Sequence, residues 1–67
     1  MSHERWNKYE KAILRELLRA KRPLTTNQVA DRVDFAWQTT KKYLDRLWEE
    51  EYVGSQSAGR TIEWWIM

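Results

Sequence analysis

Four polar side chains that can bind anions or base edges recur between positions 38 and 46. If residues 37 to 50 are helical, Gln38, Lys41, Lys42 and Arg46 lie on its outer side, with Arg46 at one edge. Ammonium and guanidinium groups bind phosphates and the O6 and N7 atoms of guanine, and a glutamine amide can bind adenine in bidentate fashion. This chemistry suits the major groove of double-stranded DNA. The alternative is an ordinary solvated helix face.

The opposite side of this helix is apolar. Thr40, Leu44 and Leu47 lie within one narrow arc, and Tyr43 and Trp48 flank it. The pattern therefore predicts an amphipathic helix over about 37–50, with Thr39 at the edge of the polar face. Asp45 also lies outward, where it would repel phosphate, read cytosine or pair with a neighbouring Lys or Arg. Trp37 opens the helix, and we expect it either to contact a thymine methyl group or to pack over the preceding helix.

A second, shorter helix is predicted just before, over about 26–33. Thr25 and Gln28 have the spacing of a capping box, and Leu24 before them is expected to be extended and to pack inward. Asp34 tolerates the left-handed conformation that a tight turn needs, whereas Ala36 leaves the next helix weakly capped. Two helices joined in this way form a helix-turn-helix, in which the first fixes position and the second enters the major groove.

The start of the second helix and the end of the chain supply further candidate contacts. Backbone N–H groups at a helix N-terminus favour a phosphate, to which Thr26 or Asn27 could add a hydrogen bond. Residues 52–56 and 61–66 alternate as two strands, with a turn at 57–60 in which Gly59 can take a positive φ. Arg60 would then lie at the tip of a hairpin, where an arginine can contact a narrow minor groove or its phosphates. The adjacent Trp64 and Trp65 must point to opposite faces, so one is expected in the core.

A first helix is predicted over about 4–21, capped by Ser2, with Glu4 in its first turn and Pro23 beyond its end. Its core arc contains Trp6, Tyr9, Ile13, Leu17 and Ala20, widened by Leu14 and Leu18. Its opposite side carries a basic stripe of Lys8, Lys11, Arg15, Arg19 and Arg22. We interpret the stripe as a solvated face, with a second nucleic-acid surface or a site for an acidic partner as the alternative.

Composition limits the chain to a single small domain, residues 1–67. Its 12 Lys and Arg against 10 Asp and Glu give a formal charge of +2, which permits nucleic-acid binding without requiring it. With no cysteine and with His3 as the only histidine, neither a disulfide nor a structural zinc site is expected. No transmembrane run or secretory signal is visible, so we expect a soluble cytoplasmic protein.

The order of helix, helix-turn-helix and hairpin resembles the winged helix-turn-helix domains of prokaryotic, especially archaeal, transcription regulators. The resemblance covers about Tyr9 to Ile66, although the family usually has Gly at the position of Asp34 and often Ser at that of Ala36. Its motif residues are Pro23, Leu24, Thr25, Ala30, Val33, Phe35, Thr40, Leu44, Leu47, Glu51, Tyr52, Val53, Gly59 and Arg60. It implies an α+β, mainly helical fold of three helices followed by a two-stranded wing.

The leading hypothesis is sequence-specific binding of double-stranded DNA by a small transcription regulator. The predicted DNA-binding residues are Thr26, Asn27, Trp37, Gln38, Thr39, Lys41, Lys42, Arg46 and Arg60. A single module reads only a short site, so we expect a homodimer, with the outward tryptophan of the 64/65 pair and the outer side of the first helix as candidate interfaces. The alternative is a protein-interaction winged helix that serves as an adaptor. No enzymatic activity or cofactor is expected, because no nucleophile–base pair or phosphate-binding glycine loop is present. No small-molecule ligand is expected either, because an effector pocket or ligand domain does not fit in 67 residues.

Overall fold

In a computed structural model, which describes residues 6–67, three helices pack against a three-stranded antiparallel sheet. The elements are α1 (Lys8–Ala20), β1 (Leu24–Thr25), α2 (Thr26–Val33), α3 (Trp37–Glu49), β2 (Val53–Ala58) and β3 (Thr61–Ile66). This confirms the predicted fold class, with one addition. Besides the two strands of the hairpin, Leu24–Thr25 forms a third strand.

The start of α1 differs from the prediction. Asn7 caps the helix: its side chain accepts a 2.9 Å hydrogen bond from the Glu10 N–H, and the Glu10 carboxylate accepts one of 3.0 Å from the Asn7 N–H. This reciprocal capping box sets the start at Lys8 rather than near residue 4. The predicted cap Ser2 and the acidic residue Glu4 lie outside the described residues.

The end of α1 also comes earlier than expected. Lys21 takes a left-handed conformation, with φ of 56°, and its N–H bonds to the Leu17 carbonyl. The helix therefore ends at Ala20, before the backbone restriction that Pro23 places on Arg22 can act. As a result, Arg22 is not on the helix, and the basic stripe of α1 contains only Lys8, Lys11, Arg15 and Arg19.

The helix-turn-helix has the predicted local contacts. The Thr25 hydroxyl accepts from the Gln28 N–H at 3.1 Å, and the Gln28 side chain accepts from the Thr25 N–H at 2.9 Å. Asp34 has a φ of 61°, and its N–H closes α2 on the Ala30 carbonyl at 2.8 Å. Ala36 makes no side-chain cap for α3, as its methyl group requires. These contacts set α3 directly after α2 across a short turn.

The sheet has the order β1-β3-β2, which makes β3 its central strand. Leu24 pairs with Trp64 on one side of β3, and Ser55 pairs with Trp64 on the other. The strands of the hairpin continue to Ala58 and resume at Thr61, so the turn is shorter than the predicted 57–60. Gly59 in this turn has the expected positive φ, 65°.

The core lies between the three helices and one face of the sheet. Its buried members are Ile13, Leu17, Leu24, Val29, Leu44, Leu47, Val53 and Trp64. Trp64 is the core member of the tryptophan pair, at 2% exposed. Trp65 lies across Gly54 on the other face of the sheet, and a Cβ added to Gly54 would be 2.5 Å from the indole ring. Leu18, assigned to the core arc from sequence, is instead 65% exposed.

Candidate nucleic-acid interface

A cleft of about 390 Å³ lies between the start of α2, the start of α3 and the tip of the hairpin. It is lined by Thr25, Thr26, Asn27, Trp37, Lys41, Arg60, Thr61 and Ile62. Five of these residues were predicted to bind DNA from the sequence, although they come from three separate elements. The fold thus brings the start of both helices and the wing tip to one surface.

The two candidates at the start of α2 differ in their surroundings. Thr26 is only 5% exposed, and its Oγ1 accepts a 2.8 Å hydrogen bond from the indole Nε1 of Trp64. Asn27, the next residue, is exposed. Because the Thr26 hydroxyl is already engaged in the interior, Asn27 is the side chain here that is free to reach a ligand in solvent.

Trp37 occupies the first position of α3 and is 49% exposed. Its ring lines the cleft together with Thr25 and Asn27 from the neighbouring helix start. About half of the Trp37 side chain is therefore buried and the rest faces solvent. An exposed apolar ring of this kind can contact a thymine methyl group or a sugar.

Lys41 is held by an ion pair within α3. Its Nζ lies 3.0 and 2.9 Å from the two carboxylate oxygens of Asp45, one turn along the helix. The Lys41 side chain is 27% exposed, that of Asp45 48%, and the ammonium also lies 5.9 Å from the Trp64 ring centroid. Of the roles considered for Asp45, the structure contains the pairing with a neighbouring lysine.

The remaining candidates on α3 lie outside the cleft. Gln38 and Lys42 are exposed and Thr39 is half-buried. The Lys42 Nζ lies 5.4 Å from the Tyr43 ring centroid. These side chains continue the polar face of α3 beyond the cleft, and Gln38 and Lys42 project into solvent.

Arg46 is turned towards α1. Its Nε lies 4.0 Å from Oε2 of Glu10, and its guanidinium carbon lies 5.8 Å from the Tyr43 ring centroid. Glu10 is 3% exposed and was not recognised from the sequence, although Asn7 and Glu10 have the same i, i+3 spacing as Thr25 and Gln28. Its carboxylate caps α1 and faces α3, so Arg46 has a structural partner as well as an exposed surface.

An aromatic cluster supports this side of α3. The Tyr9 ring stacks on Tyr43 at 5.2 Å and meets the edge of Phe35 at 5.0 Å. Phe35 lies in the turn between α2 and α3, so its ring joins that turn to α1. The cluster therefore connects α1, the turn and α3 through their side chains.

Charge is distributed unevenly along α3. Lys41 and Lys42 lie in its first half, whereas Glu49, Glu50 and Glu51 are all exposed at its end. Phosphates would be attracted to the first half and repelled from the second. Among residues 6–67, no group of three potential metal-ligating side chains comes together and no helix is long and apolar enough to cross a membrane.

The family model for winged helix-turn-helix DNA-binding domains matches residues 7–53, more than half of the chain. The chain therefore belongs to this family of DNA-binding domains, which is not enzymatic. Among curated protein sequences, none matches this chain.

Solved structures with the same fold include transcription regulators and HOP2, a protein with homologous DNA pairing properties. The PcaV transcriptional regulator of Streptomyces coelicolor, in complex with its natural ligand, is similar over the whole chain with a TM-score of 0.89 and 21% identity. A DNA complex of ZitR from Lactococcus lactis is similar over 98% of the chain, with a TM-score of 0.79 and 23% identity. The chain spans 49% and 46% of those two proteins.

A structure of HOP2, solved to study its DNA recognition and protein interaction domains, is similar over 88% of the chain, with a TM-score of 0.82 and 21% identity. This chain covers 98% of that one, so the two are comparable in extent. At these identities the likeness concerns the fold, which serves DNA-binding proteins of different kinds.

Proposed function

We propose that this protein binds specific sites on double-stranded DNA as a small transcription regulator. The observation that carries the proposal is the cleft in which Asn27, Trp37, Lys41 and Arg60 converge from three elements. A surface that combines a helix N-terminus, a recognition helix and a wing arginine matches the contacts that a duplex offers along one groove and its flanking phosphates.

Each part of the surface has a distinct role in the proposed complex. Gln38, Thr39 and Lys42 enter the major groove from the first half of α3, with Trp37 against sugar or thymine methyl groups. Asn27 and the backbone N–H groups at the start of α2 bind a phosphate, and Arg60 reaches the adjacent backbone or minor groove. Thr26 acts as a support through its bond to Trp64, and Arg46 contributes at the edge of the interface.

A single recognition helix reads only a short site, so we propose that the protein binds as a homodimer on two half-sites about one helical turn apart. Binding to chromosomal DNA would place it in the cytoplasm. PcaV was solved with its natural ligand, and it is about twice as long as this chain. We propose that the cleft here binds DNA without a small-molecule ligand.

The first experiment is fluorescence-anisotropy titration of a labelled duplex library across a salt series. We expect affinity to fall steeply with salt, with a slope of about −0.9 per neutralised phosphate in a plot of log K against log salt, and selection to enrich a palindromic site. Binding with no sequence preference would reduce the proposal to general DNA association. No binding at low salt would overturn it.

A protein-interaction adaptor is the second candidate. The observation that favours it is the exposed apolar surface away from the cleft, where Leu18, Trp48 and Met67 are 65%, 51% and 72% exposed. An adaptor would associate with DNA weakly and with little dependence on salt. The same titration therefore separates the two functions, and a negative result would make affinity capture with the intact chain the next experiment.

A further inference from the structure

An apolar surface lies on the side of the molecule away from the cleft. Three shallow depressions lie side by side there and share lining residues. The first and second share Leu18 and Ile66. The third shares Trp65 with the first and Met67 with the second. We call the region formed by Leu14, Leu18, Trp48, Trp65, Ile66 and Met67 the apolar surface. Leu18, Trp48 and Met67 are its exposed members, and the other three are half-buried. Adjoining exposed apolar side chains of this kind are suited to an interaction site.

The two edges of the apolar surface carry opposite charges. On the α1 side, Arg15 and Arg22 line the depressions, and these two residues form the basic edge. On the side of the α3 end, Glu49 and Glu51 line the third depression and form the acidic edge. Arg15, Arg22 and both glutamates are exposed. The apolar centre therefore lies between a cationic and an anionic border.

We propose that a second copy of this chain packs on the apolar surface about a two-fold axis. In a two-fold interface any contact between residues i and j occurs twice, so the surface must be complementary to itself. A basic edge and an acidic edge on either side of an apolar centre satisfy this condition, since rotation sets each basic edge against the partner's acidic edge. A foreign partner would need no such symmetry in the charges.

This arrangement leaves the cleft free. The sheet runs from the wing tip at Thr61 to Ile66 on the apolar surface, a span of about 16 Å at the usual rise per residue. The dimer would therefore join the two copies at the end of β3 remote from Arg60. The idea that this dimer presents two clefts to two DNA half-sites rests on the proposed function, whereas the self-association itself does not.

The experiment is sedimentation equilibrium of the intact chain without DNA, over a protein concentration series reaching tens of micromolar. We expect a monomer–dimer equilibrium in the wild type. Leu18→Glu places a charge at the centre of the surface twice per dimer and should raise the dissociation constant at least about 100-fold. Since Leu18 is 65% exposed, the variant should keep its fold, as circular dichroism would verify.

A charge-exchange pair tests the two edges. Arg15→Glu with Arg22→Glu, and separately Glu49→Lys with Glu51→Lys, should each weaken dimerisation about tenfold or more because like charges then face each other. An equimolar mixture of the two variants restores both sets of opposite charges in the heterodimer and should recover most of the association. Lys8→Glu with Arg19→Glu is the matched control on α1, since neither position lines the apolar surface.

A chain that stays monomeric throughout the series would overturn the proposal. So would a dimer that survives Leu18→Glu, or a mixture that associates no better than its components. If the chain dimerises but binds no DNA, the proposed function fails and this inference stands. If the chain stays monomeric and binds a single half-site, the inferred dimer fails and the proposed DNA binding stands.

Discussion

The indole Nε1 of Trp64 donates a 2.8 Å hydrogen bond to Oγ1 of Thr26, joining β3 to the first turn of α2. Both side chains are buried, at 2% and 5% exposed. Trp64 belongs to the same strand that leads back from the wing tip, and Thr26 belongs to the helix that begins beside the cleft. The bond therefore ties the position of Arg60 to that of the α2 N-terminus.

Removing the acceptor of this bond should destabilise the protein. Thr26→Val keeps the shape of the side chain but leaves a buried indole N–H without a partner, which costs about 1–3 kcal/mol of unfolding free energy. Thr26→Ser keeps the hydroxyl and should lose less. Urea denaturation measures both variants. Equal stability of the valine variant and the wild type would show that the bond contributes nothing net.

Local signals in the sequence were sufficient for much of this fold. The capping box of Thr25 and Gln28, the left-handed Asp34 and the uncapped Ala36 each involve residues within a few positions of one another. Alternation along the last strand likewise showed that Trp64 and Trp65 face opposite ways. Such features depend on the backbone of one element, so spacing and residue type can predict them.

Features that depend on distant partners were missed. Strand β1 exists because Leu24 pairs with Trp64, and Thr26 is buried because the same tryptophan reaches it from 38 positions away. Glu10 was missed for a different reason: its capping partner Asn7 lay inside a helix predicted to begin too early. The convergence of Asn27 and Arg60 in one cleft also required the hairpin to fold back on α2.

Neutralising Asp45 should strengthen the proposed DNA binding. Asp45→Asn removes a negative charge from the recognition helix and frees the Lys41 ammonium, which lies 2.9 Å from the carboxylate, to bind phosphate. We expect affinity to rise about fivefold at low salt and the salt slope to steepen by about 0.9. Glu50→Gln makes the same change of charge at the end of α3 and serves as the control. Equal effects of the two variants would assign the gain to net charge alone.

Arg60→Ala should separate binding from stability. Arg60 is exposed at the wing tip, so unfolding free energy should change by no more than about 0.5 kcal/mol. Loss of one phosphate or minor-groove contact should lower affinity about five- to tenfold in anisotropy titrations. Arg19→Ala, also exposed but on α1, should leave affinity within about twofold. An undiminished affinity of Arg60→Ala would remove the wing tip from the interface.

The two glycines should respond differently to alanine. At Gly54 an added Cβ would lie 2.5 Å from the Trp65 ring, so Gly54→Ala should displace the indole and cost about 1–3 kcal/mol. A Cβ added at Gly59 would meet no atom within 4 Å beyond the neighbouring residues, so the positive φ alone should cost about 1 kcal/mol. Adding Trp65→Leu should relieve only the first variant. Denaturation of the wild type, the three single variants and the two double variants measures this coupling, and strictly additive losses would contradict the proposed steric cause.

The contact between Glu10 and Arg46 should be detectable as coupling between α1 and α3. Glu10→Ala removes the reciprocal cap of α1 and leaves Arg46 without its 4.0 Å partner, so we expect a loss of about 1–2 kcal/mol. Arg46→Ala should cost less, because its side chain is 54% exposed. If the ion pair contributes, the double variant will be less destabilised than the sum of the two single variants.

Arg46→Ala should also weaken DNA binding less than Lys42→Ala does. Lys42 takes part in none of the ion pairs found among residues 6–67, so its charge is available to DNA. If Arg46→Ala instead weakened DNA binding more than Lys42→Ala, the main role of Arg46 would be to bind DNA and not to contact Glu10.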